Sequence, residues 1–398
     1  MTLPDPTDIA RHYTRFRVGQ RVLLTGHSHQ AWPDVARDAQ IQAWDDAAQQ
    51  VDDKWDRAFA MADRVRQGYA YRLDDPAGDY ALAANTHELL VRFLSALPLH
   101  GRPRLVTTDG EFHTIRRQLQ RLGEVGLEIA VVPAEPVVDL PQRLADAVDD
   151  RTAAVLVSCV LYRSGRIVRG LGEVQRACAR HGAELLIDAY HAVNIVPFSV
   201  REEAVEGAYV VGGGYKYCQL GEGNAFLRVP AHGTLRPVVT GWFAEFAELA
   251  EPPEPGEVPY GKGAARFAGA TYDPVSHYRG AAAWDFFAAQ RLDVPTLRAL
   301  SQRQIGRLAD RFDALDLDPK LIRRDRTSDL ADRGGFLVLE TPHAGRICRA
   351  LREHGVWVDH RDEALRLGPA PYVTDDQLDL AIARLDLAVR TPAVERPL

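Results

Sequence analysis

The chain has few cysteines and no arrangement of them that would staple a fold. Cys159, Cys178, Cys218 and Cys348 form no CxxC pair and show no disulfide-framework spacing. Reduced thiols in a cytoplasmic protein are therefore the expectation. No apolar run reaches the roughly 18 residues needed to span a bilayer, so no membrane partner is expected. The segment 1–15 mixes Pro, Asp and Arg without an apolar stretch, so no secretory signal is expected either. An excess of positive charge is also missing. With 48 Lys and Arg against 55 Asp and Glu the net charge is -7, and nucleic-acid binding needs a concentrated basic face. Arg323, Arg324 and Arg326 lie close together, but Asp325 interrupts them and a solvated surface is the simpler reading. His27, His29, His87, His113 and His191 are scattered rather than set at metal-ligand spacing, so no metal site is expected.

At 398 residues the chain is long enough for two domains. Its middle alternates short apolar runs with amphipathic helical stretches, the pattern of an α/β domain. Strands are expected at 104–107, 128–132, 153–158, 184–187, 208–211 and 224–229. Helices fall between them at 140–147 and 171–181, the second ending in His181 and Gly182, a helix stop. The Pro- and Glu-rich stretch 251–258 reads as an irregular excursion. Helices follow at 276–290 and 294–315. A further unit gives strand 335–339, helix 344–354, strands 356–359 and 364–368, and helix 375–389. The expected organisation is an N-terminal arm (1–55) packing with the small domain, a large ligand-binding domain (56–293) and a small C-terminal α+β domain (294–398).

One lysine stands out. Lys216 follows a strand candidate and the glycines Gly212, Gly213 and Gly214, which let backbone approach a ligand closely. Strand ends are where an α/β sheet holds its ligands. A lysine that can shed its proton there can form an imine with an aldehyde cofactor. Upstream, the apolar strand 185–187 ends in Asp188. A carboxylate at such a position needs a partner, and a protonated pyridine nitrogen is a good one. Three residues on, His191 could hydrogen-bond the phenolic oxygen of the same ring. Together these point to pyridoxal 5'-phosphate (PLP).

With those residues in place, the chain resembles the class V branch of the fold-type-I PLP enzymes, and kynureninase most closely. The resemblance rests on segments in a shared order: GHSHQAWP at 26–33, YRSG at 162–165, Asp188 with His191, Tyr215-Lys216-Tyr217, Gly241-Trp242-Phe243, and RLGPAPY at 366–372. It implies a mostly parallel mixed sheet between helices, plus a smaller α+β domain. It implies that Thr86 and His87, at a helix N-terminus, cradle the cofactor phosphate, with a further bond from Tyr215. Thr271 would reach that phosphate from the neighbouring subunit, making the enzyme a homodimer with sites at the interface. A ring should stack on the pyridine; His113 is the expectation, with Phe112 the alternative. Arg366 would bind the α-carboxylate of an amino-acid substrate through two parallel donors. Trp242 would wall the substrate pocket, with His27 and Ser28 near it.

The implied reaction is hydrolytic Cβ–Cγ cleavage of kynurenine or a related amino acid. Lys216 would move the α-proton, Asp188 hold the ring charge and Tyr215 assist acid–base steps. Departures from the family wording gather at substrate-facing positions: His27, His29 and Gln30, the run CQLGEG at 218–223, and Ala270, Thr271 and Tyr272. The stretch 44–55 carries no equivalent of the family's substrate-ring histidine. An aminotransferase, lyase or epimerase on another amino acid is therefore the alternative, and a non-catalytic paralogue a remote one. Cysteine desulfuration is disfavoured, because 356–365 holds no cysteine before Arg366.

Overall fold

The computed structural model describes residues 3–248 and 256–391. Of the expected excursion 251–258, residues 251–255 lie outside them. A seven-stranded sheet is built from β2 (Asp79–Ala83), β3 (Arg104–Thr108), β4 (Glu128–Val132), β5 (Thr152–Ser158), β6 (Glu184–Asp188), β7 (Tyr209–Gly213) and β8 (Ala225–Val229). The order across it is β2-β8-β7-β6-β5-β3-β4. All neighbours run parallel except β8, which is antiparallel to both β2 and β7. All seven residues of β5 are buried, as a central strand covered on both faces must be. Side chains alternate between faces: Val155, Val157, Leu185 and Ile187 join one hydrophobic core, and Ala154, Leu156 and Leu186 the other. The six strands read from sequence appear at the expected positions, displaced by no more than two residues at either end. The helix Leu171–His181 stops as expected, on Gly182 at φ +63°.

Two long helices, Val35–Gln50 and Lys54–Arg72, occupy the region read as an arm and the start of the large domain. Ahead of them β1 (Val22–Leu23) pairs parallel with β10 (Val356–Trp357), and Thr25 bridges to Gly368. The C-terminal region forms a second sheet from β9 (Leu337–Glu340), β11 (Asp359–Arg361) and β12 (Ala364–Leu367), in the order β11-β12-β9 and antiparallel throughout. The single strand expected at 356–359 is split in two. Its first half pairs with β1 and its second turns to pair with β12, a change of partner that sequence pattern does not encode. The helix Val294–Asp313 starts on an Asp293 cap whose carboxylate accepts from the Thr296 N–H at 2.8 Å. The arginine run is ion-paired as a surface should be: Arg323 with Glu340, Arg324 and Arg326 with Asp313. No helix among the described residues is long and apolar enough to cross a membrane.

Candidate active site

The carboxyl ends of β5, β6 and β7 lie side by side, with Ser158 opposite Asp188 and Asp188 opposite Val211. A cavity of about 310 Å³ opens there, at the lower end of the range typical of small-molecule sites. Lys216, Asp188, His191 and Tyr215 line it, as do Thr86, His87 and Phe112.

The glycines before Lys216 matter for packing. None of the three has positive φ, so a sharp left-handed turn is not their role. A Cβ on Gly213 would sit 2.5 Å from the Tyr190 hydroxyl, and one on Gly214 2.7 Å from Leu220 Cβ. Small residues let the strand press against the 189–200 loop and deliver Lys216 into the cavity.

The Lys216 Nζ lies 2.8 Å from His191 Nε2 and 4.4 Å from the centre of the Tyr190 ring. Burial pushes its ammonium down to about 7; Asp188 opposes that shift and Arg366 adds to it. Burial, and then the charge of Lys216, holds His191 well below the usual imidazole value. The neutral ring accepts from the lysine at Nε2, and its Nδ1 is buried without a partner. Burial also raises the Asp188 carboxyl, against the Tyr190 N–H that it accepts at 2.8 Å and the nearby lysine. These are the properties of an amine ready to add to an aldehyde and an acid that gains from a cationic neighbour. At the same edge the helix Thr86–Ala96 begins, capped by Asn85, whose side chain accepts from the Glu88 N–H at 3.0 Å. First-turn N–H groups have no partner inside a helix, so this terminus suits an anion. An amine, a buried acid, an unpartnered imidazole nitrogen and an anion-binding terminus around one cavity fit a phosphorylated pyridine aldehyde.

Other expected residues stand elsewhere. His113 is exposed and its Nδ1 meets Arg116 one turn along the helix His113–Glu124, whereas Phe112, the residue preceding that helix, reaches the cavity wall. Trp242 is 43% exposed and packs on Phe243 and Phe246, away from the cavity wall. Thr271 is exposed and does not line the cavity of its own chain. Ser28 turns its hydroxyl back to the Thr25 carbonyl.

Arg366 is the largest departure. It is buried behind the cavity rather than on its wall, and its fork is taken by Asp359: Nε to Oδ1 at 2.8 Å and Nη2 to Oδ2 at 2.5 Å. His27 is buried beside them, its Nε2 2.7 Å from Asp359 Oδ1. Burial and Arg366 bring His27 down to about 4. Burial works against ionising Asp359, but His27 and Arg366 hold its carboxyl far below the usual range. The neutral imidazole therefore donates to an ionised acid.

Sequence reasoning missed several contributors. Ser158 and Tyr190 also line the cavity, beside Tyr162 and Glu222 from the segments already singled out at 162–165 and 218–223. Behind Ser158, the buried Glu111 accepts from its hydroxyl at 2.6 Å and from its N–H at 3.1 Å. Burial raises the Glu111 carboxyl to about 7, although Ser158 and Thr108 oppose the shift. Asp359 was also missed; the signal was an acid and an arginine at equal distance from a tight turn.

Residues 297–385 match the kynureninase C-terminal domain family. Over 247 residues the chain is 31% identical to the kynureninase of Burkholderia mallei (strain SAVP1), a stretch that is 60% of this chain and 56% of that protein. It is 29% identical over 250 residues to the kynureninase of Pseudomonas fluorescens, with the same shares. The similarity thus spans little more than half the length of these curated relatives. Among solved structures, a variant of C-DES with glycine covalently linked to its PLP cofactor superposes with a TM-score of 0.80 at 19% identity, covering 96% of this chain and 99% of that one. The apo cysteine desulfurase of Thermococcus onnurineus NA1 gives 0.81 at 15% identity, over 98% and 99%. The chain shares the fold of these fold-type-I PLP-enzyme structures, and its sequence is similar to that of kynureninases.

Proposed function

We propose that the protein is a PLP-dependent, kynureninase-like enzyme that hydrolyses the Cβ–Cγ bond of kynurenine or a related amino acid. The observation that carries this reading is the buried Lys216 amine, brought down to about 7 beside Asp188 at the cavity edge, in a chain with a kynureninase C-terminal domain match. Bound PLP supplies an aldehyde for amines and a ring that withdraws electrons from a substrate's α-carbon. Lys216 would anchor the cofactor and carry the substrate's α-proton. Asp188 would keep the ring nitrogen protonated, and the free Nδ1 of His191 would offer a hydrogen bond to the phenolic oxygen. Thr86, His87 and Tyr215 would hold the phosphate, and Phe112 would support the ring face. A second copy of the chain completes the site through Thr271, which lies exposed in its own subunit; a monomer at working concentration with full activity would remove that role.

The test is direct. The PLP-loaded protein is incubated with kynurenine, 3-hydroxykynurenine and a panel of amino acids. Release of an anthranilate-type product together with alanine supports the reading. Conversion of the cofactor to its amine form with an amino acid favours the aminotransferase alternative, and elimination products favour a lyase. The latter has a motive in the departures at 218–223, where Glu222 enters the cavity wall. Sulfur transfer has little support: burial raises all four thiols, and Cys348 sits in a helix with its sulfur 3.3 Å from the Val358 carbonyl.

A further inference from the structure

Arg366 already holds a carboxylate, and the way it does so is informative. β11 and β12 put Asp359 directly opposite Arg366 across an antiparallel pair. Both donors of the guanidinium fork end on Asp359, and Nη1 donates to the Tyr162 carbonyl at 2.6 Å. A second carboxylate cannot enter the fork while the first is in it, because like charges at that spacing repel. Asp359 also has somewhere to go. Arg361 Nη1 is 3.6 Å from its Oδ2, on a side chain 37% exposed. β11 is a three-residue strand at the edge of its sheet, bonded on one side only. Tyr162, the residue that accepts from Arg366, lines the cavity itself.

We propose that Asp359 is a carboxylate gate: it occupies the fork of Arg366 until a substrate's α-carboxylate displaces it onto Arg361, so that substrates lacking that carboxylate leave the site closed. Exchange of one carboxylate for another keeps the buried guanidinium paired throughout, which avoids the large cost of an isolated buried charge. The two arginines then divide the work, with Arg366 selecting and Arg361 receiving the displaced acid. Asp359 acts through Arg366 and is a positioning residue. The proposal rests on the reading that the substrate is an amino acid.

Benzoate, a carboxylate with no amine to react, is the probe, titrated calorimetrically into the holoenzyme. Asp359→Asn opens the fork and is expected to bind benzoate about tenfold more tightly than the parent. Arg361→Ala removes the receiving cation and weakens benzoate binding by about threefold, the scale of a half-exposed ion pair. Arg366→Ala abolishes the binding. With an amino-acid substrate, Asp359→Asn lowers KM more than it changes kcat, whereas a merely structural acid would lower thermal stability and kcat and leave benzoate affinity alone. Should Asp359→Asn fail to fold, the surface variant Arg361→Ala decides. Unchanged benzoate affinity in Arg361→Ala, or benzoate binding that survives Arg366→Ala, overturns the gate. Because benzoate binding requires no turnover, the gate can fail while kynurenine cleavage stands, and the reverse.

Discussion

The large sheet brings Asp188, His191 and Lys216 to its carboxyl edge with bonding capacity to spare, whereas the small sheet brings Arg366 and His27 alongside with their charges already matched by Asp359. The first group carries a buried amine brought down to about 7, a raised carboxyl and an imidazole nitrogen without a partner. The second is an arginine, an acid and a neutral histidine bonded to one another, with the fork of the arginine filled and only His27 Nδ1 left without a partner. Capacity left unsatisfied in a buried wall is costly unless a ligand completes it. The first face is therefore built to be filled, and the second to be rearranged.

Removing the lysine should break this contrast most severely. Lys216→Ala is expected to lower turnover by about a thousandfold or more and to abolish the visible absorption of the holoenzyme; turnover retained at parental levels would place the anchoring amine elsewhere. Asp188→Asn tests the acid on the same face. Loss of its charge should reduce turnover by about a hundredfold, read as kcat. The pH profile adds a sign. The neutral fraction of Lys216 grows as pH rises through about 7, so the rate at which the cofactor-free protein takes up PLP should climb there. Asp188 favours the ammonium, so Asn at 188 should shift that rise to lower pH; a shift upward would contradict the arrangement.

Gly213→Ala examines the approach of strand to loop. A Cβ at 2.5 Å from the Tyr190 hydroxyl must displace that ring, and overpacking of this kind costs about 1–3 kcal/mol, measurable by urea unfolding. The smallest effects distinguish the two rings. Phe112→Ala should weaken cofactor affinity by several-fold, from about 0.5–1.5 kcal/mol of ring contact. His113→Ala, on an exposed side chain, should stay within about 0.5 kcal/mol. The opposite ranking, measured by cofactor titration, would restore His113 as the stacking ring.

Most of the large sheet was legible because its strands are short apolar runs between glycines and amphipathic helices. Lys216, Asp188 and His191 were legible too, since each stands at a fixed offset from a strand end and a strand end in an α/β sheet is a place in space as well as in sequence. The ring that reaches the cavity was not. Phe112 and His113 are adjacent, and only the start of the helix at His113 decides which side chain meets the cavity and which turns along the helix toward Arg116. Ser158 and Glu111 were hidden for a similar reason, being 47 residues apart yet bonded.

Sequence alone determined the alternation of strands and helices, the sheet edge that carries the lysine and acid, and the order of motifs shared with kynureninases, because all of these are properties of local pattern. Tertiary structure alone decided that Arg366 faces Asp359 rather than open cavity. That outcome depends on the register of β11 against β12 and on the change of partner after Trp357. A one-residue slip would turn the arginine to the other side of the sheet, and no local feature of the chain fixes which neighbour a buried charge will find.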